Sequence, residues 1–62
     1  MKLEEVIEAL EFNDYQYTIQ GNVIRSGGFT MIIEDDVIKV TKPHHAPIEF
    51  NDLDKFNYFL SL

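Results

Sequence analysis

Two adjacent histidines lie between two prolines in the segment TKPHHAP, residues 41–47. Histidine is a common metal ligand and a general base near neutral pH, so His44 and His45 are the first candidates for a site. Successive side chains of an extended segment point to opposite sides, however, whereas metal-binding pairs are spaced to share one face. The spacing therefore predicts a loop that binds no metal, and a small metal-dependent hydrolase is the most remote of our hypotheses.

Two aspartates and two serines are the other residues that could do chemistry. Asp35 and Asp36 stand where a hairpin turn is expected, and aspartate suits such turns because it tolerates left-handed backbone. Ser26 and Ser61 lack the G-x-S-x-G context of a nucleophile elbow, and the glycines after Ser26 lack the Lys-Ser/Thr ending of a phosphate loop. The sequence thus offers no catalytic residue and no cofactor site, and it predicts that the protein is not an enzyme.

A run of glutamates at the start of the chain is the clearest charge feature. Apolar residues recur at helical spacing over residues 2–12, which predicts an amphipathic helix with an acidic outer face. A line of carboxylates on such a face can imitate phosphates, so DNA mimicry is an alternative, although duplex DNA carries a charge every ~1.7 Å. Three glutamates share this line at steps of about 6 and 4.5 Å, and a fourth lies beside it in the first turn: Glu4, Glu8 and Glu11, with Glu5.

The middle of the chain alternates apolar and polar residues, as strands do. Residues 15–25 predict one strand that is bulged at Gly21 and Asn22, with a hairpin as the alternative. Glycines at 27 and 28 predict a turn. Residues 29–41 predict a hairpin with a two-residue loop at Asp35 and Asp36, in which one side is apolar and the other side still carries two aliphatic residues. The apolar side holds Phe29, Met31, Ile33, Ile38 and Val40, with Ile33 opposite Ile38 and Met31 opposite Val40, and the other side holds Ile32 and Val37.

A second helix is expected at the end of the chain. Pro43 and Pro47 interrupt regular structure, Asn51 is the expected N-cap, and an apolar stripe follows at helical spacing from Leu53 to Leu60. The predicted fold is α+β: a single domain over residues 1–62, of order α-β-β-β-α, with an antiparallel three-stranded meander and both helices packed on one face.

Charge and composition limit the function further. Five Lys and Arg against eleven Asp and Glu give 5 − 11 = −6, which disfavours direct binding to nucleic acid or to an anionic membrane surface and favours a basic protein partner. A chain of 62 residues buries only about 60% of its unfolded surface, so we expect no deep pocket. With no cysteine, no signal peptide and no long apolar run, the expected location is the cytoplasm.

These observations favour a small acidic protein that acts by binding. The first hypothesis is a phage-type or mobile-element-type accessory protein or inhibitor, which docks on a basic surface of a protein partner, for example one that handles nucleic acid. The alternative is a structural or assembly subunit that forms a homodimer through an unpaired sheet edge and leftover apolar surface. The residues predicted to bind the partner are Glu4, Glu5, Glu8, Glu11, Glu34, Asp35, Asp36, Ile32, Val37 and Tyr58.

Overall fold

The fold, taken from a computed structural model that describes residues 2–62, contains two helices and a five-stranded antiparallel sheet. The strands are ordered β1-β2-β3-β4-β5, so each one pairs with its neighbour in the sequence. The elements are α1 (Leu3–Phe12), β1 (Thr18–Gln20), β2 (Val23–Ser26), β3 (Phe29–Glu34), β4 (Val37–Thr41), β5 (Ile48–Phe50) and α2 (Leu53–Ser61).

The α+β class and the central hairpin are confirmed, but the predicted three-stranded meander is wrong because the sheet has five strands. In the central hairpin Ile33 pairs with Ile38, as the alternation predicts. The loop residues Asp35 and Asp36 have φ values of 46° and 64°, the two positive angles that a type I′ turn requires. A matching backbone twist lets this turn join two strands without splaying them.

The first additional strand arises because residues 18–26 form a hairpin, where one bulged strand over residues 15–25 was predicted. Gly21, with φ of 64°, takes the first position of a two-residue turn, which is the arrangement of a type II′ turn. Asn22 fixes this turn to β3: its carbonyl accepts from the Ile33 N–H at 3.1 Å, and its side-chain amide donates to the Ile33 carbonyl at 3.1 Å. The chain therefore reverses at Gly21, and β1 becomes an edge of the sheet.

The second additional strand, β5, follows Pro47 and forms the opposite edge. Proline is tolerated at the start of an edge strand because no hydrogen bond to a neighbouring strand requires its missing N–H there. Ile48 pairs with Val40 and Phe50 pairs with Ile38, so both apolar residues of β5 face the core. Three residues are too few for the alternation to stand out in the sequence, which is why the strand was not predicted.

Each helix is fixed by local hydrogen bonds. The end of α1 is a Schellman motif: Asp14 has φ of 62°, its N–H donates to the Glu11 carbonyl at 3.1 Å, and the Tyr15 N–H donates to the Leu10 carbonyl at 2.9 Å. The N-cap of α2 is Asp52 and not the predicted Asn51, because the Asp52 carboxylate accepts from the Asp54 N–H at 2.9 Å.

Both helices pack on one face of the sheet, as predicted, and the core lies between them. It contains Val6 and Leu10 of α1, Phe56 of α2 and the inward-facing residues of β2, β3 and β4. Phe50 joins the two layers, since its ring centroid lies 5.6 Å from that of Phe56 and 5.2 Å from that of Phe59. Neither helix covers the other face of the sheet, which we call the open face. Among residues 2–62, neither helix has the length and apolar character needed to cross a membrane.

Candidate functional site

The ten residues predicted to bind a partner fall on two opposite sides of the molecule. The four glutamates of α1 and Tyr58 of α2 are exposed on the helical layer. Ile32, Glu34 and Val37 lie on the open face of the sheet, and Asp35 and Asp36 form the adjoining β3–β4 turn. One compact partner surface cannot contact both sides at once, so the prediction describes two separate surfaces.

Four of those residues meet in one groove on the open face of the sheet. The groove has a volume of about 510 Å³ and lies over β3, β4 and β5. Cross-strand pairing builds its centre, because Ile32 pairs with Lys39 and Lys39 pairs with Glu49. A second row is formed by the Glu34–Val37 pair next to the turn. The lining residues are Ile32, Glu34, Asp35, Val37, Lys39, Thr41, Pro47 and Glu49.

We call this surface the sheet groove, and it combines an apolar floor with a mostly acidic rim. Ile32 and Val37 are half-buried although neither α1 nor α2 covers them. Three acidic lining residues against one basic residue, Lys39, give a local balance of 1 − 3 = −2. An apolar floor provides affinity through burial, while charges at its border attract and orient a partner of opposite sign. The sheet groove is therefore suited to a ligand with apolar and basic groups.

Sequence reasoning missed the contributions of Lys39, Pro47 and Glu49 to this groove. Lys39 could have been found, since it faces Ile32 in the hairpin register that was predicted. Pro47 and Glu49 belong to the segment that was expected to be irregular, and only the pairing of β5 with β4 brings them to the groove.

A smaller groove of about 360 Å³ lies between the two helices. Glu5 and Glu8 stand on one side of it, and Phe12, whose side chain is 80% exposed, lies at its border. The Asn13 side-chain amide donates to the Asn57 side-chain oxygen at 2.7 Å and ties the helices together. Phe12 was also missed by sequence reasoning, although it falls at helical spacing from Glu5 and Glu8 and away from the core stripe.

Two of the four glutamates of α1 have local structural roles. The Glu5 carboxylate accepts from the Lys2 backbone N–H at 2.9 Å and so satisfies a donor at the start of the helix. The Glu11 carboxylate accepts from the Tyr17 hydroxyl at 2.8 Å. This hydrogen bond raises the pKa of Tyr17 above its ordinary value of 10.0, and partial burial and the charge of Glu11 act in the same direction. Glu5 and Glu11 thus have structural roles that do not require a partner.

The histidines and Ser26, which were considered as catalytic or metal-binding residues, do not come together in one site. His44 and His45 are exposed in a turn, where the His45 N–H donates to the Lys42 carbonyl at 3.3 Å, so the expected extended conformation is wrong. His44 has φ of 66°. Ser26 is buried, and its hydroxyl donates to the Gln16 carbonyl at 2.6 Å. Within residues 2–62 the structure brings no three His, Cys, Asp or Glu side chains together as metal ligands.

No protein family, curated protein or solved structure matches this chain. Function must therefore be inferred from the two surfaces themselves, of which the sheet groove has the more complete set of binding features.

Proposed function

We propose that the protein is a non-enzymatic binding protein, an accessory protein or inhibitor, which docks a basic surface of a protein partner in the sheet groove. The observation that supports this most is the position of Ile32 and Val37, two half-buried aliphatic residues on a sheet face that neither α1 nor α2 covers, beside three carboxylates. Neither residue belongs to the core cluster or packs against it. A partner that covers them would gain apolar contact area.

The expected partner segment is amphipathic, with apolar side chains flanked by Lys or Arg. Its apolar side chains would contact Ile32 and Val37, and its basic groups would reach Glu34, Asp35 and Glu49 at the rim. A bare phosphate backbone would meet net repulsion from a chain of charge −6, so nucleic acid itself is not the proposed ligand. A protein that handles nucleic acid would present such a basic surface.

The helical layer has a separate role in this proposal. Counting residues 2–12 and 52–61, its two helices and their N-cap residues carry two basic residues against six acidic ones, 2 − 6 = −4. Charges outside a buried interface act mainly on the rate of encounter, because they steer an oppositely charged partner over a distance set by ionic strength. The glutamates of α1 would therefore accelerate association without forming the contact surface.

The proposal can be tested with a helical peptide of Leu and Lys in amphipathic spacing, together with a control peptide in which Glu replaces Lys. We expect the Lys peptide to shift amide NMR signals of β3, β4 and β5, to bind less tightly at higher salt, and to bind far better than the Glu peptide. Signal changes concentrated on α1 and α2, or equal binding of both peptides, would contradict docking in the sheet groove.

Two double variants separate the roles of the two surfaces. Ile32→Thr with Val37→Thr keeps the β-branched shape but removes apolar area, and we expect about a tenfold loss of peptide affinity, roughly 1.4 kcal/mol. Glu4→Gln with Glu8→Gln should instead slow association and flatten its salt dependence, while the dissociation rate changes little. Both variants should keep the wild-type fold, which circular dichroism would verify.

A further inference from the structure

The two edges of the sheet differ in how they are protected from pairing with another strand. β5 begins after Pro47, carries Glu49 at its centre and contacts α2. Each of these features, a proline, a charge and a covering element, discourages pairing with another strand. β1 is exposed at all three of its residues. It lies within residues 15–24, the longest stretch of the sequence without a charged residue. The β1 edge thus lacks the charge and the proline that protect β5.

The backbone of β1 also presents hydrogen-bonding groups outward. Gln20 and Val23 flank a two-residue turn, and the pair that closes such a turn exchanges its hydrogen bonds. Bonded and non-bonded pairs alternate along an antiparallel ladder, so Thr18 and Gln20 direct their backbone groups toward β2. The N–H and C=O of Ile19 consequently point away from the sheet. The Ile19 side chain is 42% exposed on the helix side of the strand.

We propose that the β1 edge pairs with the β1 edge of a second copy of this chain, in antiparallel orientation about a two-fold axis at Ile19. In this register Ile19 faces Ile19 of the other copy, and the two residues exchange two backbone hydrogen bonds. Thr18 faces Gln20, so polar residues meet polar residues on the open side. The segment is therefore complementary to itself.

Charge favours a second copy at this edge over contact elsewhere on the surface. Two chains of charge −6 repel each other wherever their acidic surfaces meet. Charges of both signs lie beside β1: Arg25 pairs with Thr18 across the hairpin, and Glu11 accepts from the Tyr17 hydroxyl. Association at β1 thus avoids a row of facing carboxylates.

The size of the edge sets the strength of this association. Three residues of strand and their neighbours bury far less than the ~1,200 Å² at which stable interfaces begin, so the dimer should be weak and concentration-dependent. The sheet groove lies over β3, β4 and β5, away from β1. Pairing at β1 would therefore leave both grooves open, and each proposal can fail without the other.

Sedimentation equilibrium from about 20 μM to 1 mM tests the proposal, and we expect a monomer–dimer equilibrium within this range. Ile19→Lys places a charge at the axis of the dimer and should reduce dimerisation at least tenfold. Tyr58→Lys is the matched control, because it also replaces an exposed apolar side chain and changes the net charge from −6 to −5, but lies on α2. This control should dimerise like the wild type.

A second measurement does not depend on how well the Ile19 variant folds. Hydrogen exchange of the Ile19 amide in the wild-type protein should slow several-fold between the lowest and highest concentrations, because pairing with the second copy protects this outward N–H. A protein that stays monomeric up to 1 mM, or an Ile19 amide that exchanges at the same rate throughout, would overturn the proposal. Equal weakening by Ile19→Lys and Tyr58→Lys would also overturn it.

Discussion

Val37 and Val40 lie on the same strand, three residues apart, and face opposite sides of the sheet. Val40 is 1% exposed and belongs to the core between the sheet and the helices, whereas Val37 is half-buried on the open face and lines the sheet groove. The residue type is the same, so the difference comes from what packs on each face. On the covered side α1 and α2 supply the partner surface, and on the open side nothing within residues 2–62 does so.

The polar groups of the two faces differ in the same way. Ser26 is a buried polar residue of the covered face, and its hydroxyl donates to the Gln16 carbonyl at 2.6 Å. The open face instead holds Lys39 and Glu49 side by side and exposed to solvent. A buried polar group must be paired, while an exposed one is free to meet a ligand. The covered face therefore contributes most of the buried core, and the open face is the surface on which we propose that a partner docks.

The largest loss of stability is expected from a substitution at the centre of the covered face, the side of the sheet on which α1 and α2 pack. Phe56 is fully buried and packs edge-on against Phe50. Phe56→Ala should destabilise the protein by about 3 to 5 kcal/mol. The whole stability of a chain this size is roughly 3 to 9 kcal/mol, so the variant should be largely unfolded at 25 °C.

Urea unfolding followed by circular dichroism would measure this loss. Tyr58→Ala is the control, because it removes an aromatic side chain of the same helix that is 68% exposed, and it should shift the midpoint only slightly. A cooperative, near-native transition for Phe56→Ala would show that the covered face is not the source of stability.

A matched pair of substitutions compares the two faces directly. Val40→Thr buries a hydroxyl in the core and should cost about 1 to 3 kcal/mol, because the new polar group loses its water. Val37→Thr makes the same chemical change on the open face, where the hydroxyl stays hydrated, and should cost about 0.5 kcal/mol or less. Thermal unfolding of both variants would test this, and equal losses would mean that the open face is packed as firmly as the core.

The contrast between the faces also explains which features could be predicted from the sequence. The alternation over residues 29–41 determines which residues share a side, and it led to the correct register of Ile33 with Ile38. The spacing of Leu3, Val6 and Leu10 likewise located α1 to within one residue. These features depend on local periodicity, which the sequence contains directly.

Features that depend on tertiary pairing could not be predicted from the sequence. Gly21 and Asn22 are compatible with either a bulge or a turn, and the choice is made by the bonds of Asn22 to Ile33, eleven residues away. β5 has three residues and becomes recognisable only through its pairing with β4. The sheet groove needs both the hairpin and β5, so Ile32 and Val37 could be named as candidates while Glu49, which completes the rim, could not.

A smaller effect is expected at the polar group of the covered face. Ser26→Ala removes the hydroxyl that donates to the Gln16 carbonyl and should destabilise the protein by about 1 kcal/mol, roughly 5 °C in Tm. Ser61→Ala is the control, since Ser61 is exposed and its hydroxyl donates to the Tyr58 carbonyl within the last turn of α2. If differential scanning calorimetry gave the same Tm for both variants, the buried bond would contribute nothing beyond an exposed one.

The smallest expected effect lies at Tyr17, where the covered face meets solvent beside α1. The hydrogen bond to Glu11 raises the pKa of Tyr17 in the folded protein, so the folded state favours the protonated phenol. A group whose pKa is raised on folding contributes stability below its unfolded pKa, here 10.0, and this contribution is lost as the pH rises through the higher folded value. Tyr17→Phe should therefore be slightly less stable than the wild type at pH 8, and the difference should shrink or reverse above pH ~10.

Urea unfolding of both proteins at pH 8, 10 and 11 would measure this difference in stability. Tyr58→Phe is the control, because substitution of an exposed tyrosine on α2 should leave the pH dependence unchanged. If the wild type and Tyr17→Phe lost stability in parallel across this range, the bond between Tyr17 and Glu11 would not couple the edge of the covered face to α1, and the acidic helix would be free of a structural role at that position.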